Sequence, residues 1–374
     1  MNFGIQLLYL NFRKDFFMKV TKQLLNLNTS PVFHELPDLH SSFFFDIETT
    51  GLSPKNSYIY LIGVFFLKDN SWHCHQWLAQ KKSEESSILD CFFSFCTPYQ
   101  TMIHFNGRRF DLPFILERCR QLHLLCPLSG LSEFDLYQNI RPLKQLLKLE
   151  KLTQNYLEQY LDIHRFDAYS GKQLISVYDA YQKEPSPQLE EALFRHNRED
   201  LTGMAAIVPL LSYHALKEGN FSLKNVLPIE DPVHGFALKV SVTLPYILPL
   251  PVSFQNSYGA FSAREQECHF LIYGICTALK HYFPDYKNYD YLPMEERVIH
   301  KSLSSYVDRR HRRPAKPEEC YVSKTGRFLP QKKCFFEPSF QDQYHAPVFF
   351  FEYREEILSD TRRFLSYIQN LFLQ

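Results

Sequence analysis

The chain has 374 residues, with 41 basic and 41 acidic side chains, 45% hydrophobic residues, 16% aromatic residues and only 12 glycines. This length suits two domains, and the ordinary apolar content excludes a disordered chain, as the scarce glycine excludes a collagen-like one. Zero net charge excludes a uniformly basic coat for a polyanion, though not a local one.

Residues 1–40 read as an N-terminal extension, with a short helix, a loop and an approach strand punctuated by Pro31 and Pro37. Its opening apolar run has no basic lead and ends at Arg13, Lys14 and Asp15, so a signal peptide is not expected. The nine cysteines are scattered without a C-x-x-C pair, which argues against a zinc ribbon or a secreted disulfide framework. The apolar runs Tyr58–Leu67 and Tyr246–Phe254 are far shorter than the ~20 residues that span a bilayer. A cytoplasmic protein that makes no use of a membrane is the expectation.

Residues 41–220 predict an α/β layer structure. Ser42–Glu48 is a dense apolar-aromatic run suited to a central strand, and Thr49–Pro54 is a turn. Tyr58–Leu67 and Trp72–Leu78 follow as strands joined at Lys68-Asp69-Asn70, then Lys82–Cys96 as a helix and Thr101–Asn106 as a strand. From Asp111 the spacing turns helical, with further amphipathic stretches near Leu143–Leu161 and Gly171–Gln182. A long helix is expected over Gln188–Lys217, capped by Gly219-Asn220. Beyond Asn220 the chain is rich in Pro, Tyr and Phe. Residues 221–374 read as a second α+β domain, with helices at Ala263–His281 and Glu352–Phe372.

Four acids stand where chemistry could use them. Asp46 and Glu48 are two apart on one strand and project to the same face. Asp111 follows the fourth strand, and Asp200 lies four residues after His196 on one helix face. Converging carboxylates suit hard divalent cations such as Mg²⁺ or Mn²⁺. Each also has a plain structural use: strand-end solvation for Asp46 and Glu48, a helix cap for Asp111, and surface ion pairs with Arg195 and Arg198 for Asp200.

The ordered strings FFFDIETTGL, HFNGRRFDLPFI and HNRED resemble the three motifs of the DEDD superfamily of 3′–5′ exonucleases. The likeness is greatest to its bacterial ribonuclease-H-like group and covers about residues 40–215. It implies a ribonuclease-H-like mixed sheet flanked by helices, and a metal-dependent 3′–5′ exonuclease that uses two ions. By that resemblance Asp46, Glu48, Asp111 and Asp200 are metal ligands and His196 is the general base. Thr49, Gly51, Leu52, Asn106 and Phe110 would contact the substrate, a single-stranded 3′ end of DNA or RNA. The superfamily's histidine branch usually spaces His and Asp five apart, whereas here they are four apart. A catalytically silent module that binds nucleic acid or a repair partner is the alternative.

Asp135 reads as a helix N-terminal residue in preference to a support behind the four acids, and the histidines at 73, 75, 104, 123, 164 and 281 read as structural. Arg309–Lys333 carries nine Lys/Arg against two Glu, a local balance of +7, with Tyr321 and Phe328 interleaved. That pattern fits either a nucleic-acid surface or a solvated loop.

Overall fold

The computed structural model describes residues 18–25, 36–166 and 169–373, and the chain divides into two units, Met1–Ser212 and Tyr213–Gln374. The helix expected in the first residues, and the segment weighed as a leader, lie outside the described residues.

The first unit is built on strands β1 (Lys19–Leu25), β2 (Ser42–Thr49), β3 (Ile59–Lys68), β4 (Ser71–Leu78), β5 (Thr101–His104) and β6 (Ser132–Asp135). Their order across the sheet is β1-β4-β3-β2-β5-β6. β2 runs antiparallel to β3 and parallel to β5, and β5 runs parallel to β6. This is the expected mixed sheet. The β3–β4 connection turns on Asp69 and Asn70, both at positive φ, as a tight two-residue hairpin requires. β1, from the segment ahead of residue 41, forms the edge of the sheet by pairing with β4.

The flanking helices are α1 (Glu85–Cys96), α2 (Asp111–Leu122), α3 (Leu136–Ile140), α4 (Gln154–Tyr160), α5 (Gly171–Lys183) and α6 (Pro187–Ile207). Alternation along β2 sorts its side chains. Phe43, Phe45 and Ile47 join a core with Ile88 and Phe92 of α1 and Leu112 and Ile115 of α2. Phe44, Asp46 and Glu48 take the other face, and α6 packs across β2 and β3. Tyr60 and Leu78 pack there against Tyr178 and Tyr181 of α5 and Leu193 and Phe194 of α6.

Two helices are shorter than expected. The Leu143–Leu161 stretch is helical only from Gln154, because Lys148 takes a left-handed conformation (φ 53°) that closes a turn first. The long final helix ends at Ile207, and a 3-10 turn carrying Pro209 intervenes before α7 (Tyr213–Glu218) of the second unit. Proline has no N–H to continue the helical ladder.

The second unit continues with β7 (Ser222–Ile229), β8 (Gly235–Thr243), β9 (Val252–Asn256), β10 (Gly259–Arg264), β11 (Glu267–Tyr282), β12 (Tyr289–Leu292) and β13 (Arg297–His300). After α8 (Lys301–Ser304) come β14 (Arg313–Pro314), β15 (Tyr321–Gln331), β16 (Ser339–Phe340), β17 (Phe349–Glu352) and α9 (Thr361–Phe372). β12, β13 and β14 form a small sheet, and the other strands form an eight-stranded sheet.

The helix expected over Ala263–His281 is a strand. Cys268, Phe270 and Ile272 are buried while Glu267 and His269 are exposed, a period of two. Their neighbours Leu271, Tyr273 and Ile275 are apolar too, so the run also satisfies a helical template. Pairing with β8, β10 and β15 decides for the strand. The expected Glu352–Phe372 helix likewise begins only at Thr361, where the Asp360 carboxylate accepts from the N–H of Arg363.

Candidate active site

Asp46 sits mid-sheet opposite Gly63 of β3. Its Oδ2 accepts a 2.8 Å hydrogen bond from Nδ2 of Asn197 on α6. Asn197 is fully buried, and its Oδ1 accepts in turn from Nε2 of Gln76 on β4 at 2.8 Å. Gln76 also donates to the Phe194 carbonyl and accepts from Thr21 of β1. Gly63 makes room for this chain, since a Cβ there would lie 1.9 Å from Asn197 Oδ1. Asp46 is thereby anchored through three strands and a helix.

Asp111 is the first residue of α2, reached through a turn in which Asn106 is left-handed (φ 60°). Oδ1 of Asp135 fastens that turn by accepting from the N–H of Asn106 at 2.9 Å, and it caps α3 by accepting from Tyr137 at 3.0 Å. Buried His104 accepts from the N–H of Gly107 through Nδ1 at 3.1 Å. Burial lowers its pKa, partly offset by Asp135 and Glu133, so the ring supports the turn as a neutral acceptor. A Cβ at Gly107 would press on the His104 ring at 2.8 Å and on Asp111 Oδ2 at 3.2 Å.

On α6, His196 and Asp200 are one turn apart, and Nε2 of His196 lies 3.4 Å from Asp200 Oδ2. The same nitrogen is 3.7 Å from Glu48 Oε1. Four-residue spacing thus turns the histidine inward, where it is 7% exposed. Glu48, His196 and Asp200 each offer a ligand atom, and these atoms all lie within 4.8 Å of one another.

The other Asp200 oxygen, Oδ1, accepts from Arg165 Nη1 at 2.5 Å. Arg165 is itself gripped by Glu158, which is 1% exposed, through Nε and Nη2 at 2.5 and 2.6 Å. Gln154 donates to both the Asp200 carbonyl and Glu158. Gly203 leaves space for the Glu158 carboxylate, which a Cβ would meet at 2.0 Å.

These acids feel one another. Burial first, then the charges of Asp200, Glu48 and Asp111, hold the Asp46 carboxyl well above the usual carboxylate range, against the hydrogen bond from Asn197. Burial pushes Asp111 up to about 7, opposed by its own N–H and that of Ile47 and reinforced by Asp135 and Asp200. Carboxylates so arranged gain most from cations, and an oxygen-rich set with one imidazole suits a hard or borderline divalent ion. The residues fit a metal centre.

The remaining expected contacts lie on the turns bordering this cluster. Thr49 is buried and donates to the Gly51 carbonyl at 2.9 Å, while Leu52 is 86% exposed. Phe110 is half-buried with its ring 5.4 Å from Phe114. Asn106 has its Oδ1 buried with no hydrogen-bond partner among the described residues. The sequence reading missed Asn197, Gln76, Arg165 and Glu158. Gly63 inside the apolar run of β3 and Gly203 inside α6 are the local signs that something must pass close by.

Residues 43–212 match the sequence model of the RNase_H superfamily. The fold of this part of the chain is ribonuclease-H-like. Among solved structures, the chain is similar to a family B DNA polymerase from Pyrobaculum calidifontis at 16% identity and TM-score 0.37, covering 48% of this chain and 25% of that one. It is also similar to a product-bound exonuclease I at 13% identity and TM-score 0.29, covering 60% and 58%. The zinc-bound E. coli exonuclease I–ssDNA complex is similar at 12% identity and TM-score 0.28, covering 60% and 54%. The chain therefore spans a quarter of that polymerase and little more than half of those exonuclease I chains. No curated protein matches it. Among the described residues, no helix is long and apolar enough to cross a membrane.

Proposed function

We propose that the ribonuclease-H-like domain is a metal-dependent 3′–5′ exonuclease acting on single-stranded ends of nucleic acid. The observation that supports this most is the meeting of Glu48, His196 and Asp200 beside two further acids, Asp46 and Asp111, with raised proton affinity. Asp46, Glu48, Asp111 and Asp200 would hold two Mg²⁺ or Mn²⁺ ions, which when bound lower the pKa of water and neutralise charge on the leaving oxygen.

The chain's own residues supply the rest. Nε2 of His196 is the proton acceptor for the attacking water, and Glu48 and Asp200 on either side stabilise the imidazolium that results. As the water oxygen bonds to phosphorus, the bond to the 3′ oxygen breaks and that oxygen takes a proton from solvent. Arg165 and Asn197 fix Asp200 and Asp46 so that neither must reorient. Exposed Leu52 is the apolar contact for the terminal base, with Thr49 and Gly51 holding its turn, and Asn106 and Phe110 border the strand behind it.

The test is hydrolysis of end-labelled single-stranded DNA and RNA, with 3′ or 5′ ends blocked, in Mg²⁺ or Mn²⁺. Products should appear only from open 3′ ends and vanish in Asp46→Ala. Undiminished hydrolysis by that variant would overturn the assignment.

A further inference from the structure

The basic stretch at Arg309–Lys333 does not act as one surface. Arg312 is tied to Asp290 at 3.0 Å, Arg313 to Glu319 at 2.5 Å and Lys324 to Glu352 at 2.8 Å, and Phe328 is wholly buried. What remains of it on β15 meets residues of β11 that sequence spacing did not connect.

β11 and β15 pair antiparallel from Ile275↔Phe328 to Tyr282↔Tyr321. On one face of this ribbon, Leu279 and Phe328 pack with Phe340 into a small core. The other face alternates out, and Ala278, Thr325 and Arg327 on it are exposed. It ends in an aromatic group, with the Tyr282 ring 5.5 Å from Tyr321 and 5.2 Å from Tyr344. Lys280 Nζ stands 4.4 Å over the Tyr321 ring, and the Arg327 guanidinium 5.5 Å over Phe236. Among the described residues, neither cation has a carboxylate within ion-pair distance; the acid beside this stretch, Glu352, pairs with Lys324 and Arg354 instead.

We infer that this β11–β15 face is a binding site for single-stranded nucleic acid. Two cations four residues apart along the ribbon, about 13 Å of strand, with small side chains between them, let a phosphodiester backbone lie along it. The tyrosine group at one end offers flat surfaces on which bases stack whatever their sequence. A duplex keeps its bases stacked on each other and could use only the cations. The inference extends the nuclease reading by giving the second unit the substrate strand, but the binding itself requires no hydrolysis.

The experiment uses the full chain in EDTA, with fluorescence anisotropy of labelled single-stranded DNA, single-stranded RNA, duplex DNA and an acidic peptide. Tyr321→Ala should weaken single-strand binding by about five- to a hundredfold. Removing both cations, in Lys280→Ala with Arg327→Ala, should make the slope of log affinity against log salt shallower by about 1.4, at ~0.7 per phosphate on a single strand. Ala278→Glu, a surface change in mid-ribbon, guards against misfolding as the cause and should also weaken binding. Hydrolysis of a small phosphodiester by the same variants in Mn²⁺ should match that of the unaltered chain. Unchanged affinity and salt slope in all three variants would overturn the site, as would equal or tighter binding of duplex or acidic peptide. Absence of hydrolysis by the unaltered chain, with the anisotropy changes retained, would count against the nuclease reading alone.

Discussion

The two units treat charge in opposite ways. In the first, acids and their cationic or amide partners are withdrawn from water and fastened to the sheet: Asp46 by Asn197, and Asp200 by Arg165. In the second, Lys280 and Arg327 lie over aromatic rings on a strand surface. A buried charge is costly unless compensated, so its geometry must be held by neighbours and any loss propagates. A surface cation is solvated already, and its contribution appears only when a polyanion arrives. The difference teaches where substitutions should damage chemistry, where they should damage folding, and where they should do neither.

The largest effect should come from the buried acids. Asp46→Ala or Asp111→Asn should lower hydrolysis by about a thousandfold or more, since each acts in a set that fails as a unit. Rates under single-turnover conditions test this. Activity within tenfold of the unaltered chain would break the comparison at its first half.

Arg165→Ala should cost about 3 kcal/mol of stability in urea unfolding, because it strands Glu158 in the interior. It should also cut metal affinity or activity by about 10- to 100-fold by loosening Asp200. Arg165→Lys should restore little, as one ammonium cannot span both carboxylates in the same fork.

Proton and metal should compete at the same acids. Asp111 has its pKa raised from 3.8 to about 7 in the folded state. The folded chain therefore binds the proton more tightly than the unfolded chain, and this contribution to stability is full below 3.8. It is lost as pH rises to about 7. A divalent ion replaces the missing proton, so Mn²⁺ should raise Tm more at pH 8 than at pH 5.5. A larger rise at the lower pH would contradict the charge assignment.

How much was legible beforehand follows the same division. Asp46 and Glu48 could be placed on one face because a strand alternates strictly, and His196 and Asp200 because a helix repeats each turn. The α/β layering followed from the ordered strands and helices, and the mixed sheet from the resemblance carried by the three motifs. Arg165, by contrast, reaches Asp200 from a loop after α4, and no local period reports a contact across 35 residues. Asn197 sits beside His196 in sequence but faces Gln76, 121 residues earlier. In the second unit, β11 was misread because its apolar run satisfies both periods, and with it went half of the β11–β15 face. Burial of Phe328 and the pairing of Arg312, Arg313 and Lys324 are likewise tertiary facts. Local pattern tells which side chains share a face; it does not tell what covers that face.

The smallest effect sharpens the contrast between two arginines. Arg327→Ala removes a guanidinium that lies over Phe236 from the solvent side, a contact of about 0.5–1 kcal/mol at an exposed site. Urea unfolding of this variant should therefore show a loss of no more than about 1 kcal/mol, against about 3 kcal/mol for Arg165→Ala. Hydrolysis of a small phosphodiester should be unchanged, since Arg327 belongs to the second unit and holds none of the acids. A loss as large as that of Arg165→Ala would mean that the ribbon cation is structural. The proposed nucleic-acid face would then rest on Lys280 and the tyrosines alone.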